Sequence, residues 1–390
     1  MGGQPPASPS TTAVTDLARQ LPSPACAWIY SPARLRHRLA ALREVLCGHT
    51  ILYAMKACAN PAVLAAAVEH ADGVECASGA ELDQALGAGA RRLAFSGPAK
   101  TPRDLAKAAG AEAETCVHVE GMRELDALAQ AGFHGPVALR VNRGRPLPGT
   151  HRMAGEPTPF GFDPSEVEAA AAHAADLGLD LAGFHLHAVS NCLDAAAYAA
   201  HVADALDWSR RAADRTGIDL RYVNVGGGLG ADPRGAVIDL PALASGLAGL
   251  DTTGVELVFE PGRFLAAAAG WYLAEVVDLK TVAGQAFAVV RGGTHHFRLP
   301  AAWGYSHPFT VVATDHWPHP WPRARLDDVE VRVCGELCTP RDVLNAGQRV
   351  ETIAVGDRLL FADAGAYGWE ISHDRFLGHQ RPLQIVMDGA

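Results

Sequence analysis

Short apolar runs rich in β-branched residues alternate with alanine-rich runs from about residue 26 to residue 262. Short apolar runs are typical of strands in a buried parallel sheet, and the longer alanine-rich runs are typical of helices. The predicted strands are Ile51–Ala54, Gly73–Cys76, Arg92–Phe95, Thr115–Val119, Val137–Val141, Ala182–His187, Arg221–Val225 and Val255–Phe259. Helices are predicted between them, among others at Pro61–Glu69, Ala80–Leu86, Arg123–Ala131, Ser165–Ala175 and Ala195–Arg215. Eight strand–helix units predict a (β/α)8 barrel, whereas a doubly wound sheet, the alternative, usually has fewer repeats.

The pattern changes after residue 262. Helical runs nearly disappear, while proline, glycine and tryptophan become frequent, and further strands are predicted at Glu330–Val333, Arg358–Ala362 and Leu383–Val386. The predicted fold class is therefore α/β, with a TIM barrel followed by a C-terminal all-β domain. We place the barrel at residues 26–264 and the β domain at residues 265–390, and we expect residues 1–25 to form a tail that associates with the β domain.

Composition narrows the function classes. The chain of 390 residues is 49% hydrophobic and carries a net charge of −10, which argues against nucleic-acid binding through a basic surface. No apolar run reaches the roughly 18 residues of a membrane span, and residues 1–13 lack the basic start and apolar core of a signal peptide. The cysteines are scattered without a CxxC pair, so neither a disulfide framework nor a zinc site is expected. We expect a cytoplasmic protein with no nucleic-acid, membrane or metal partner.

Polar residues and glycines cluster where the predicted barrel strands end, which is the side of a TIM barrel that carries active sites. They are Lys56, Glu75, Arg140, Asn142, His185, His187, Ser190, Gly226, Gly227, Gly228, Gly230, Glu260, Gly262 and Arg263. Each alone has an ordinary explanation, such as a surface lysine, a tight turn, a core histidine or an ion pair at the rim.

Taken together, these residue types indicate one cofactor. A lysine amine forms a Schiff base, and Lys56 is one of only four lysines in the chain. Successive glycine amides cradle a phosphate, and Arg263 adds a charged donor. A histidine ring stacks on an aromatic ring, and a carboxylate keeps a pyridine nitrogen protonated. This combination points to pyridoxal phosphate (PLP) bound in a barrel.

The motifs support this interpretation by resemblance. The segments YAMKA, VECASGAEL, FHLHAVS, GGGLG, EPGR and DAGAY resemble, in order, the motifs of the alanine-racemase-like, fold-type III PLP enzymes. Val189 departs from the pattern, because a glycine is usual at that position. The segment CGELCTPRDVL resembles the cysteine motif of the ornithine and diaminopimelate decarboxylases. The resemblance covers nearly the whole chain.

The resemblance implies roles for individual residues. The implied cofactor-binding residues are Lys56, His187, Ser190, Gly227, Gly228, Glu260, Gly262, Arg263 and Tyr367. Lys56 would form the Schiff base, His187 would stack on the ring, and Glu260 would face the pyridine nitrogen. Racemases of this fold place an arginine at that nitrogen, so Glu260 favours decarboxylation. Cys338 resembles the cysteine that enters from the partner subunit and acts as proton donor, which implies a homodimer with composite sites. The role of Asp342 stays open.

The substrate side differs from the familiar decarboxylases. Thr339 follows the motif cysteine, where diaminopimelate and ornithine enzymes have an acidic residue, so a free distal ammonium group loses its expected partner. Basic residues cluster instead in two segments: Arg143, Arg145, His151 and Arg152, and His295, His296 and Arg298. The segments GTHRMAGEPTPFGFD and GGTHHFRLP resemble the siderophore-biosynthesis decarboxylases, which act on citryl-diaminopropionate. Arg152, Arg298, His296 and Arg143 are therefore the predicted ligands of a small anionic, amino-acid-derived substrate.

Three alternatives remain open at this point. The first is a diaminopimelate- or ornithine-type decarboxylase of a free amino acid. The second is an amino-acid racemase, which Glu260 disfavours. The third is a relative without enzymatic activity that regulates a true decarboxylase, which is disfavoured because the cofactor residues are present.

Overall fold

The computed structural model of the chain describes residues 11–143, 148–149, 151–152, 157–315 and 317–387, with only the backbone at residues 11, 151 and 152. The chain divides into two compact units. The barrel unit comprises residues 38–232 and 236–264. The β unit combines the described residues up to 37 with residues 233–235 and those from 265 onward. Within the described residues, no helix is both long enough and apolar enough to span a membrane.

The barrel unit is built on a closed parallel sheet. Its strands within the described residues are Thr50–Ala54, Gly73–Cys76, Arg92–Phe95, Glu114–Val119, Pro136–Arg140, Asp180–His185, Tyr222–Asn224 and Glu256–Phe259. Each strand pairs in parallel with its neighbours, and the last closes on the first through Phe259 and Ile51. The predicted eight-stranded barrel is confirmed. Its strands are almost wholly buried, which is why they appear in the sequence as continuous apolar runs.

Helices lie between the barrel strands. They are Pro61–His70, Gly79–Gly87, Pro102–Ala109, Met122–Gln130, Val167–Asp176, Ala195–Thr216 and Leu240–Leu247, with 3₁₀ turns at Met55–Ala57 and Pro164–Glu166. Helices Pro32–Val45 and Arg263–Ala266 contain residues of both units, and the 3₁₀ turn Ala267–Ala269 belongs to the β unit. Several begin at a polar cap. Asn60, Ser78 and Asp194 accept hydrogen bonds from backbone amides of the first turn, and Thr101 forms a capping box with Asp104. These caps satisfy amides that have no partner inside the helix.

The barrel interior is closed by one layer of mid-strand side chains. The layer consists of Leu52, Ala94, Cys116, Ala138, Ala182, Tyr222 and Val258. Three alanines and a cysteine share this layer with larger side chains, since the width of an eight-stranded barrel is limited. The polar residues that follow the strands therefore sit above a packed floor rather than in a pore.

The β unit is a mostly antiparallel sheet. Its described strands are Cys26–Tyr30, Gly270–Val282, Gln285–Val290, Thr310–Val312, Arg325–Cys334, Val343–Ala354, Arg358–Phe361 and Leu383–Val386, with a short helix at Leu299–Trp303 and a 3₁₀ turn at Phe376–Gly378. A helix at Thr11–Gln20 contributes Val14 and Ala18 to a core shared with Trp271 and Leu360.

The first strand of the chain lies in this sheet. Cys26–Tyr30 pairs with Gly270–Val282 and Leu383–Val386, although the hydrophobic pattern assigns residues 26–37 to the barrel segment. The strand is buried along its whole length, and a run buried on both faces has the same pattern in either sheet. Two short strands of the barrel unit, His151–Arg152 and Val189–Ser190, pair as an antiparallel ribbon.

Candidate active site

Lys56 lies on the 3₁₀ turn that follows the first barrel strand, and its ammonium group donates a hydrogen bond to Glu75 of the second strand. The Lys56 side chain is 41% exposed and that of Glu75 is 1% exposed. Burial raises the pKa of the Glu75 carboxyl, the nearby Glu260 raises it further, and Lys56 opposes both effects. The amine is thus held at the open rim by a buried acid that favours keeping a proton.

Glu260 follows the last barrel strand and is only 4% exposed. Its Oε1 accepts a hydrogen bond of 2.7 Å from Asn224 Nδ2. The side-chain oxygen of Asn224 accepts in turn from the backbone amide of Gly226, at 2.8 Å. A single amide therefore links the buried carboxylate to the glycine turn, so that the two are positioned together.

Histidine rings surround this carboxylate. His185 Nε2 lies 3.5 Å from Glu260 Oε2, and His118 Nδ1 lies 3.8 Å from Glu260 Oε1. His118 also contacts Ser96 Oγ and the Tyr222 hydroxyl, each at 2.9 Å. Burial lowers the pKa of both histidines well below the ordinary value, so their rings are neutral. Glu260 is consequently the acidic side chain of this cluster that a cationic ring nitrogen would meet.

His187 lies beside the glycine turn. Its Nδ1 accepts a hydrogen bond of 3.2 Å from the Gly227 amide, and its ring is nearly parallel to that of His185, with centroids 6.4 Å apart. Removal from solvent lowers the pKa of His187 well below the ordinary value. A neutral ring fixed by the backbone in this way presents a flat face to a planar ligand.

The turn Gly226–Gly228 admits only glycine. Gly226 and Gly228 have φ angles of +72° and +106°. A Cβ at Gly227 would lie 2.5 Å from the Glu260 carbonyl oxygen, and one at Gly228 would lie 2.6 Å from the Val189 carbonyl oxygen. Backbone turns of this kind direct amide groups toward an anion. The turn, the buried carboxylate, the flat histidine and the lysine amine have the chemistry that PLP requires, so the residues present fit this cofactor.

The remaining predicted phosphate ligands lie in the same unit or in the β unit. Ser190 belongs to the ribbon beside the glycine turn. Arg263 is 9% exposed and begins the short helix after Gly262, and a Cβ on Gly262 would lie 3.0 Å from that of Ala57, next to Lys56. Tyr367, in the β unit, has a φ of +55°. A tyrosine in this left-handed region is strained, and such strain is concentrated at functional positions.

The structure describes only some of the predicted substrate ligands of the barrel unit. Arg143 forms an ion pair with Asp204, and its guanidinium stacks over Trp208 at 5.4 Å. This engagement argues against a substrate contact by Arg143. Arg145 and the side chain of Arg152 lie outside the described residues. The backbone of Arg152 pairs with Val189, and the extended ribbon there accommodates a valine where glycine is usual.

Asp342 fixes the Cys338 segment within the β unit. Its carboxylate, 1% exposed, accepts hydrogen bonds from the backbone amides of Thr294, at 2.6 Å, and Leu337, at 2.8 Å. Cys338 itself is exposed. Asp342 therefore joins the segment that carries Cys338 to the segment that carries His296 and Arg298.

His296 and Arg298 differ in exposure. His296 is fully buried, and its burial lowers the pKa of the ring to about 3. Its Nδ1 lies 3.6 Å from the Cys26 thiol. Arg298 is exposed, and its backbone amide donates to Ser372 Oγ at 3.2 Å. Arg298 is consequently accessible to a ligand, whereas His296 is part of the packed interior of its unit.

Four polar residues that contact Lys56 or Glu260 were given no role from the sequence. They are Glu75, Asn224, His118 and His185. Glu75, Asn224 and His185 lie at or near the ends of their strands, within or next to motifs, so their position was the signal that could have identified them. His118 lies on an apolar strand, and no signal in the sequence separates it from a core histidine.

Comparison with known proteins supports the same cofactor. A family model described as pyridoxal-dependent decarboxylase, pyridoxal binding domain, matches residues 32–267. A 2-[(L-alanin-3-ylcarbamoyl)methyl]-2-hydroxybutanedioate decarboxylase of Staphylococcus aureus is 33% identical over 378 residues, covering 93% of this chain and 94% of that protein. A diaminopimelate decarboxylase of Deinococcus radiodurans is 31% identical over 391 residues, covering 97% and 94%. The crystal structure of Helicobacter pylori diaminopimelate decarboxylase with L-lysine has a TM-score of 0.81 at 22% identity, covers 96% and 94%, and indicates the shared fold alone.

Proposed function

The chain belongs to the pyridoxal-dependent decarboxylase family, and on that premise we propose that it decarboxylates an amino acid linked by an amide bond to citrate, of the citryl-diaminopropionate type. When bound, PLP accepts the electron pair that carbon dioxide leaves behind. The observation that carries the proposal is the buried carboxylate of Glu260, which is hydrogen-bonded to Asn224 and surrounded by neutral histidines.

Glu260 supports decarboxylation rather than racemisation. An anionic group at the pyridine nitrogen stabilises its protonated form by opposite charge, and burial strengthens this interaction. Asn224 donates to the carboxylate and so keeps it in one orientation. His187 would cover a face of the cofactor ring, the glycine turn and Arg263 would hold the phosphate, and the Lys56 amine would be the attachment point.

Glu75 is the acid next to that amine. Burial raises the pKa of the Glu75 carboxyl, and Lys56, which donates a hydrogen bond to it, opposes this effect. We propose that Glu75 orients the Lys56 amine and compensates its positive charge.

Two observations support a conjugated substrate. Thr339 stands where a carboxylate would bind a free distal ammonium group, and the exposed Arg298 lies in a segment that Asp342 joins to that of Thr339. The Staphylococcus aureus relative is named for a substrate in which an alanine is joined at C3, through an amide, to a hydroxylated dicarboxylate. Such a substrate brings carboxylates and no free distal amine. A pathway that assembles a citrate-based siderophore would use it.

We further propose a homodimer with composite sites, in which Cys338 of one subunit serves the barrel of the other as proton donor. Its exposure in the β unit is compatible with this role. The eight cysteines, all within the described residues, are unpaired there, which supports a reducing compartment such as the cytoplasm.

The test is carbon dioxide release from a panel of substrates: citryl-diaminopropionate, free 2,3-diaminopropionate, ornithine and diaminopimelate. Each well-placed charge-assisted hydrogen bond contributes about 1.5–3 kcal/mol, so kcat/KM for the conjugate should exceed that for the free diamino acids by at least roughly 10- to 150-fold. Preference for diaminopimelate or ornithine would overturn the substrate proposal. Loss of chirality without carbon dioxide release would instead identify a racemase.

A further inference from the structure

The β unit contains a cleft of about 760 Å³ beside the Cys338 segment. Its lining includes Thr294, Arg298, Leu337, Thr339, Arg341 and His373. The volume is in the range of pockets that bind small molecules. Leu337 and Thr339 flank Cys338 in sequence, so one end of the cleft adjoins the thiol that we assign to catalysis.

The charged side chains of this cleft are all basic. Arg298 and Arg341 line it, His373 stands beside Arg298 with Nδ1 3.4 Å from its Nη1, and none of the described lining residues is acidic. An uncompensated pair of guanidinium groups in a chain of net charge −10 is an unusual local potential. It favours an anionic ligand.

Several other arginines of the chain already have a carboxylate partner. Arg140, Arg143 and Arg291 each form an ion pair with a carboxylate. Among the described residues, by contrast, no carboxylate lies within ion-pair distance of Arg298 or Arg341. The planar guanidinium group matches a carboxylate in a two-pronged geometry, so these two side chains are suited to bind carboxylates of a ligand.

The backbone around Arg341 is held firmly. Its amide donates to Thr339 Oγ1 at 3.3 Å, and its carbonyl accepts from the Val343 amide at 2.9 Å. The neighbouring Asp342 binds the amides of Thr294 and Leu337. The guanidinium therefore extends from a fixed point three residues beyond Cys338, which is the preorganisation that a specificity residue needs.

Resting on the proposed function, we propose that Arg341 determines specificity by binding, together with Arg298, the free carboxylates of the citryl part of the substrate. Linking citrate through one terminal carboxylate leaves two carboxylates, which matches two guanidinium groups. The segment that supplies the Cys338 thiol would then also bind the distal end of the substrate. Thr339 would leave room for the amide at the position where other decarboxylases bind an ammonium group.

The test compares Arg341→Ala with Arg349→Ala, an exposed arginine of the same unit that is paired with Asp328. Two substrates are used: citryl-diaminopropionate and N3-acetyl-diaminopropionate, which keeps the amide but lacks the citryl carboxylates. We expect Arg341→Ala to lower kcat/KM roughly 10- to 150-fold on the citryl substrate and less than about threefold on the acetyl substrate. Arg341→Lys should restore part of the loss, and Arg349→Ala should change neither substrate.

An equal loss on both substrates, or no loss on the citryl substrate, would overturn the assignment of Arg341. Binding of free citrate to the cofactor-loaded protein, measured by calorimetry, separates this inference from the proposed function. Suppose that the wild type binds citrate, that Arg341→Ala and Arg298→Ala weaken this binding, and that the wild type does not decarboxylate citryl-diaminopropionate. This result would refute the proposed substrate but keep the assignment of the cleft as a carboxylate-binding site. Citrate affinity that is the same in wild type and Arg341→Ala would refute the cleft.

Discussion

Replacing Glu260 by glutamine tests the chemistry of the barrel site with little change of shape. Glutamine keeps an oxygen that can accept the 2.7 Å hydrogen bond from Asn224. Its amide nitrogen would then occupy the position of Oε2, which lies 3.5 Å from His185 Nε2. Because Glu260 is only 4% exposed, the variant loses a negative charge in a dry environment while the packing is retained.

The expected loss follows from that environment. A hydrogen bond to a charged group contributes about 1.5–3 kcal/mol, and burial moves the value toward the upper end of this range. Since each 1.36 kcal/mol in a barrier is a factor of ten, we expect kcat to fall roughly 100-fold or more. Cofactor binding should fall less, because the variant leaves the proposed phosphate ligands, Arg263 and the glycine turn, unchanged.

The assay is the rate of carbon dioxide release at saturating substrate, with the visible absorbance of bound cofactor as the measure of loading. Glu256→Gln is the matched control: this residue begins the strand that Glu260 follows, and its carboxylate pairs with Arg92 at 2.6 Å. The control should lower the melting temperature and leave kcat within about threefold, since a part-buried ion pair affects stability and not the site. Wild-type kcat in a fully loaded Glu260→Gln variant would refute the reasoning and remove the main argument against a racemase.

Three further predictions concern single residues. Lys56→Ala should abolish the visible cofactor absorbance and turnover, whereas Lys100→Ala should retain the absorbance, because the Lys100 amine is buried in an ion pair with Glu124 at 2.6 Å; borohydride trapping of cofactor on Lys100 would contradict this assignment. Mixing the inactive variants Lys56→Ala and Cys338→Ala should recover up to about a quarter of wild-type activity, because one site of each mixed dimer carries neither defect; no recovery, with subunit exchange verified, would place both residues in one subunit's site. Burial lowers the pKa of His201 to about 4, so its neutral form stabilises the fold at neutral pH, and this contribution is lost as pH falls from about 6.5 toward 4. Between pH 7.5 and 5 the free energy of unfolding, measured with urea, should fall by about 2 kcal/mol because of this residue, and His201→Gln should reduce the pH dependence by that amount; an unchanged pH dependence would show that folding does not lower the pKa of His201.

The barrel was predictable because its strands carry a strong local signal. Asp180–His185 and Tyr222–Asn224 are apolar, short and followed by polar turns, so only their ends shift by a residue or two from the predicted Ala182–His187 and Arg221–Val225. Cys26–Tyr30 is equally apolar, but its partner strand begins at Gly270, and a local pattern contains no information about a partner so far along the chain.

The sequence motifs point to members of the candidate site, but they do not predict the contacts between them. Lys56 and Glu260 follow strand ends within motifs, so the barrel geometry alone brings them to one rim. The link from Glu260 through Asn224 to the Gly226 amide depends on side-chain rotamers and on the turn conformation, which no spacing encodes. Asp342 is a similar case, because its partners at Thr294 and Leu337 lie on segments that the fold brings together.

The arginines show most clearly why charge in a sequence does not by itself identify a ligand site. Arg143 and Arg298 are equal as predictions, since each belongs to a basic segment. The fold gives Arg143 a carboxylate partner, Asp204, whereas Arg298 and Arg341 face a common cleft whose described lining contains no acid. An arginine that already has a partner loses that interaction on binding an anion, while two that share an open cleft do not. The observed pairing therefore moves the expected recognition of substrate carboxylates from the strand-five loop to the segments that flank Cys338.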